Sequence, residues 1–172
     1  MTYPVGIVNY DPQWPVLYEE EKGRILGVIG HKIVSIEHIG STAVRGLAAK
    51  PIIDIMIAVR SLADADKCIE PLQDIGYEYV REFEVEIPAR RFFRKGPPEA
   101  RTHHIHMIEL TSEFCERHLM FRDYLRTHPE AAQQYYKLKK ELAARYGSDR
   151  EAYAEAKTPF IESIVAKSRA AR

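Results

Sequence analysis

The eight residues Ile52-Ile53-Asp54-Ile55-Met56-Ile57-Ala58-Val59 constrain the fold of this chain more than any other stretch. β-Branched side chains recur at every second position, and the run carries a single charge, Asp54. So short and apolar a run is the pattern of a strand in the interior of a sheet. Alternation puts Ile53, Ile55, Ile57 and Val59 on the packed face and Asp54, Met56 and Ala58 on the other. A carboxylate in such a strand is costly unless it is paired or binds a cation. A salt bridge to Lys50 or Arg91 would satisfy it structurally; metal or substrate binding would satisfy it functionally.

A second apolar run, residues 32–39, precedes it and stops at Gly40-Ser41-Thr42. Val34 and Ile36 fall on one face, with Ser35 and Glu37 on the other, so Glu37 is a candidate site residue and His38 belongs to the opposite face. Gly40 lets the backbone approach a phosphate, and Ser41 and Thr42 add hydroxyl donors beside exposed amides. Alone, Gly-Ser is an ordinary turn; with Asp54 downstream the segment reads as a phosphate cradle. Lys50 could screen a polyphosphate, and Asp54 could hold a divalent metal through oxygen. Residues 44–49 have room for one helical turn.

Elsewhere, Asp11-Pro12 starts a helix over 13–29 with Trp14, Leu17, Ile25, Leu26 and Ile29 inward and Glu19, Glu20 and Glu21 as its solvated face. Ser61 caps a helix to about 75, kinked or stopped early by Pro71. Strands follow over 77–80, 89–94 and 103–110. The rest reads as three helices, 112–126, 129–146 and one from 149 onward, which Thr158-Pro159 should kink or restart. A mixed sheet followed by helices is an α+β arrangement.

His104 and His106 share one strand face, and if their strand neighbours the 52–59 run that face converges with Asp54. Two imidazoles and a carboxylate suit zinc, manganese or iron; histidine equally serves as a phosphate donor or a general acid/base. Arg91 shares a face with Phe93 and could grip phosphate. Arg122 and Arg126 share a helix face, as do Tyr135 and Lys139. Packed or surface side chains remain the simpler account of His31, His103, His118 and His128, and a solvated strand edge that of Arg90 and Arg94. Phe121, Tyr124 and Tyr135 read as helix core.

The segments Glu37-His38-Ile39-Gly40-Ser41-Thr42-Ala43-Val44, Gly46 to Asp54, His104-Ile105-His106, Phe121 to Arg126 and Tyr136-Lys137-Leu138-Lys139 resemble, in order, the signature of the GrpB-like family. That family belongs to the polymerase-beta-type nucleotidyltransferase superfamily. The resemblance implies a nucleotidyltransferase-like mixed sheet packed with helices, a sheet-containing core over 1–110 and a helical part over 111–172. It further implies a nucleoside triphosphate held by Gly40, Ser41, Thr42, Lys50, Arg91, Arg122 and Lys139, with Lys157 a weaker choice. Catalysis would fall to Asp54, His104 and His106. A divalent metal (magnesium or manganese, with zinc as the alternative) would sit on Asp54, His104, His106 and Glu37. An acceptor of unknown identity would attack the α phosphorus. One departure stands out, because the superfamily's second carboxylate falls at Met56 and its two-metal chemistry needs both. A nucleotide-binding module with reduced catalysis, and an enzyme with one metal on Asp54, His104 and His106, are the other readings.

The 172 residues carry 25 basic and 25 acidic side chains, so no overall field draws the chain to nucleic acid or a membrane. No apolar run reaches the roughly 20 residues of a membrane span, and Met1 to Pro4 has no leader pattern. A cytoplasmic protein is expected, with Cys68 and Cys115 reduced and buried.

Overall fold

The computed structural model describes residues 6–171; the opening residues read above for a leader lie outside them. Helix α1 (Trp14–Ile29) leads through a 3-10 turn, Gly30–Lys32, into strand β1 (Ser35–Ile39). A second 3-10 turn, Ser41–Ala43, and a loop return the chain as β2 (Ile53–Val59). Two short helices, α2 (Leu62–Asp66) and α3 (Ile69–Asp74), precede strands β3 (Glu78–Tyr79), β4 (Arg90–Lys95) and β5 (His103–Glu109). Helices α4 (Glu113–Thr127), α5 (Pro129–Tyr146) and α6 (Arg150–Ala170) complete the described chain.

The strands form one mixed sheet in the order β1-β2-β5-β4-β3, and only β2 and β5 run parallel. The α+β expectation holds. The parallel pairing sets Asp54 beside His104 and Met56 beside His106, and so brings three chemistry-bearing side chains to one face.

The opposite face carries the main core. Ile53, Ile55, Ile57, Val59, Phe93, Ile105 and Met107 pack with Trp14, Ile25, Ile29 and Leu72. Each such side chain contributes about 1.5–3 kcal/mol by leaving water. On the Asp54 face, Ile39, Met56, Ala58, Ile108 and Cys115 form a smaller apolar cluster under Phe114 and Leu119 of α4. β2 is therefore buried on both faces, Met56 and Ala58 included. A third cluster ties Val44 and Leu47, in the loop after β1, to Leu125, Ala131, Ala132, Tyr135 and Ile164 of the last three helices. That cluster sets the C-terminal helices over one end of the sheet.

Several local expectations change. On α1 the buried stripe is Trp14, Tyr18, Glu21, Ile25 and Ile29, while Leu17 and Leu26 are exposed. Glu21 is fully buried rather than solvated, because it accepts from Tyr77 Oη at 2.8 Å, Lys95 Nζ at 3.0 Å and Arg24 Nη1 at 2.9 Å. Asp11 accepts from the Gln13 amide at 2.8 Å, just ahead of the helix, and the proline of the first turn is Pro15. The early turn forms at Ser41–Ala43, not over 44–49. The helix after Ser61 breaks between Asp66 and Ile69, ahead of Pro71, while Ser61 caps the Asp64 amide at 3.2 Å as the sequence suggests. α6 continues through Pro159 without restarting. Cys68 and Cys115 are buried free thiols.

Candidate functional site

The site begins with Gly40, where β1 ends. Its φ of +75° and ψ of −173° lie in a region that side-chain-bearing residues avoid. A Cβ there would come within 2.8 Å of Asp54 Oδ2. The glycine expected to admit a phosphate first of all makes room for the Asp54 carboxylate.

Asp54 Oδ1 stands 3.3 Å from His106 Nε2 and 3.5 Å from His104 Nδ1. Burial alone would raise the Asp54 pKa. Hydrogen bonds from His104 and His106 overcome it and hold the group well below the usual carboxylate range, so Asp54 is an anion. Behind His106, Arg90 Nη1 lies 3.5 Å from His106 Nδ1. A guanidinium only donates, so His106 accepts at Nδ1 and carries its proton on Nε2, aimed at Asp54. Burial lowers the His106 pKa and the Asp54 hydrogen bond opposes that in part. His106 is thus a neutral, fixed donor, and His104 reaches the same carboxylate oxygen from the neighbouring same-face position on its strand. The Arg90 Nε atom is buried without a partner.

Two contiguous cavities open on Asp54, and Ser41, His104 and Lys157 border both. The smaller, about 150 Å³, is polar and adds Thr42, Lys50, Lys139 and Tyr153. The larger, about 410 Å³, is lined by Ile39, His106, Arg117, His118, Phe121, Tyr135 and Ile161 among others. Lys139 Nζ donates to Ser41 Oγ and to the Ala48 carbonyl, both at 2.9 Å, which leaves one N–H. Lys50 and Lys157 place their Nζ atoms 5.3 and 4.8 Å from the Tyr153 ring centroid. Among the described residues no carboxylate pairs with any of these three lysines. Burial lowers the Lys139 pKa to about 7, helped by Lys157 and Lys50, and lowers Lys157 to about 8, helped by Lys50. Lys50 is lowered too, by burial and then by Arg150. Three lysines therefore border one polar cavity, and repulsion among them helps to lower the pKa values of Lys139 and Lys157.

Of the residues named from the sequence, Gly40, Ser41, Lys50, Asp54, His104, His106 and Lys139 meet at this place. Thr42 lines it, but its hydroxyl is engaged, 2.9 Å from His38 Nε2 and donating to the Ile52 carbonyl at 3.1 Å. Arg91 lies on the opposite sheet face and pairs with Asp66 at 2.8 Å. Arg122 and Glu37 bind each other at 2.6 Å beside a separate cavity of about 340 Å³, where Arg122 also donates to the His38 carbonyl. They tie β1 to α4 and do not reach Asp54. Arg90, expected on a solvated strand edge, is instead buried against His106, and neither Tyr153 nor the full part played by Lys157 follows from the sequence reading. Their signal was a charge inside an inward stripe: Lys139 takes its turn among Ala132, Tyr135 and Leu142, and Lys157 falls between Tyr153, Ile161 and Ile164.

Among the described residues no group of three or more His, Cys, Asp or Glu side chains is arranged to hold a metal ion. Met56, where the sequence resemblance puts a second carboxylate, is 1% exposed and packed in the apolar cluster. Glu37 is committed to Arg122, and both ring nitrogens of His106 are engaged. The expected metal set of Asp54, His104, His106 and Glu37 is therefore not assembled, and the residues do not fit a two-cation centre.

Comparison with known proteins places this geometry in context. The family described as GrpB protein matches residues 4–167. The UPF0157 protein YqkA of Bacillus subtilis (strain 168) is 43% identical over 159 residues, which cover 92% of this chain and 46% of that protein, so the chain spans about half the length of this relative. The crystal structure of conserved protein GrpB from Enterococcus faecalis superposes with a TM-score of 0.85 at 37% identity, covering 95% of this chain and 96% of that one. The poly(U) polymerase Cid1, solved with MgGTP bound, matches with a TM-score of 0.53 at 14% identity over 81% of this chain and 45% of that one, a likeness of fold alone.

Proposed function

The chain belongs to the GrpB family, and from that premise we propose that it binds a nucleoside triphosphate between the sheet and the C-terminal helices and passes its nucleotidyl group to an acceptor. The observation that carries this reading is the convergence of Ser41, Lys50, Lys139 and Lys157, the lysines without carboxylate partners, on the polar cavity beside Asp54. A phosphate chain supplies the missing negative charge there, with charge-assisted hydrogen bonds from the ammonium groups. The nucleotidyltransferase-like fold supports the same reading.

In this reading the adjoining larger cavity, walled by Phe121, Tyr135 and Ile161, receives the rest of the reacting molecules. A hydroxyl or amine of the acceptor approaches His104, whose imidazole takes its proton while Asp54 steadies the resulting charge. The acceptor atom bonds to the α phosphorus, the bond from that phosphorus to the bridging oxygen breaks, and pyrophosphate leaves on the lysines. His106, locked by Arg90, holds Asp54 in place and does not exchange its proton. No step is assigned to a metal.

Burial of Met56 favours one other reading, a nucleotide-binding module with reduced catalysis. Calorimetric titration of each nucleoside triphosphate against the wild type and Asp54→Asn, together with pyrophosphate release across a panel of hydroxyl and amine acceptors, separates the two. Binding with release that Asp54→Asn abolishes is the expected result. Binding without release from any acceptor selects the module, and no binding by the wild type ends both.

A further inference from the structure

The nucleotide reading leaves open how a polyanion's charge is met where the carboxylates for two cations are missing. Three ammonium groups surround the polar cavity: Lys50 and Lys157 at the Tyr153 ring, and Lys139 on Ser41 Oγ and the Ala48 carbonyl. Their positions come from three elements, the loop before β2, α5 and α6, and the third cluster of the core fixes those elements against one another. The single carboxylate among the described residues at the cavity, Asp54, already faces two imidazoles. A divalent cation entering this space would meet three like charges and one shared carboxylate. A phosphate chain carrying no metal would meet three partners of opposite sign, and its own negative charge would relieve their mutual repulsion.

We propose that this pocket binds the metal-free form of its polyphosphate ligand, with Lys50, Lys139 and Lys157 standing where the superfamily uses divalent cations. The proposal rests on the nucleotide reading above and sharpens it: the ligand is a triphosphate chain of full charge, and magnesium competes with the protein for it. Lys157 is the discriminating residue, since it borders both cavities and, among the described residues, has no hydrogen bond to lose.

The test is calorimetric titration of the full chain at low salt with ATP and, separately, with inorganic tripolyphosphate, each in excess EDTA and in excess magnesium chloride. Binding in EDTA, weakened severalfold by magnesium, is expected. Lys157→Met should weaken the EDTA affinity about tenfold or more, as loss of a charge-assisted contact does, and Lys157→Arg should keep most of it. The thermal midpoint of each variant establishes that it is folded, and Lys50→Met provides a second variant with the same expected loss. ATP binding where tripolyphosphate does not bind would show that the base and sugar contribute, and supports the proposal as long as magnesium remains inhibitory. Binding that requires magnesium overturns the proposal and leaves the nucleotide reading standing. Absence of binding under every condition overturns both.

Discussion

Replacing Gly40 by alanine should damage the molecule out of proportion to one methyl group. At φ +75° and ψ −173° an alanine carries about 1–3 kcal/mol of backbone strain. Its Cβ would also stand 2.8 Å from Asp54 Oδ2, closer than Cβ atoms approach, and a tight 3.2 Å from Asp54 Cβ. Asp54 belongs to a strand buried on both faces, so the side chain yields before the backbone does, and its contacts to His106 and His104 lengthen. Hydrogen bonds to a charged group are worth about 1.5–3 kcal/mol. The combined loss is about 2.5–6 kcal/mol, and each kilocalorie lowers the midpoint of a chain this size by about 2–4 °C. Urea unfolding followed by circular dichroism measures the loss. Proton NMR of the imidazoles should show the His106 pKa falling further, because the carboxylate that supports its charged form has withdrawn. Repeating the substitution in an Asp54→Ala background, which keeps the 3.2 Å Cβ contact but removes the carboxylate, should cut the cost to little more than the strain. A loss below about 1 kcal/mol with unmoved imidazole resonances would refute the account, as would an equal loss in both backgrounds.

Other outcomes follow from the same contacts. Unfolded lysine holds its proton to about 10.5, whereas Lys139 releases it near 7 and Lys157 near 8. Between about pH 7 and 10.5 the unfolded chain therefore binds more protons, and stability should rise with pH across that window, with the burial penalty fully present below it. Urea midpoints at pH 6.5 and 9 check the sign, and polyphosphate affinity over the same interval should fall. Met56→Asp should unfold the chain by about 3–5 kcal/mol rather than install a cation site, since it leaves a charge in the apolar cluster under α4; magnesium-dependent activation of that variant would contradict this. Tyr77→Phe removes one of the donors to the buried Glu21 carboxylate and should cost about 1–2 kcal/mol in thermal unfolding. A cost near zero would mean that Lys95 and Arg24 satisfy Glu21 alone.

Strand positions were the most legible part of the chain, because period-two alternation is local. The faces of β1, β2 and β5, and with them the meeting of Asp54, His104 and His106, follow from counting by twos once β2 and β5 are neighbours. That adjacency lies outside any local pattern, so from the sequence the convergence stays conditional until the parallel pairing of β2 and β5 is seen. Helix faces were harder to read. Leu17 and Leu26 attract the eye on α1, yet Glu21 is the inward residue, since its partners Tyr77 and Lys95 come from distant segments. Arg122 and Glu37 looked like ligand groups for the converse reason. Both are charged residues within family motifs, and each proves to be the other's partner. Lys157 was undervalued because burial of an ammonium group becomes visible only when α6 lies against the pocket.

Ser41 and Lys139, joined at 2.9 Å, are 98 positions apart in sequence. A bound anion spanning them would act as a reversible staple, closing a long loop without a covalent bond. Occupancy at 100 times the dissociation constant adds about 2.7 kcal/mol to the folded state. That energy opposes most strongly the opening motions that peel α5 and α6 from the sheet. Ligand concentration would then set how often the C-terminal helices come away, and their amide exchange would slow before that of the β2 and β5 amides.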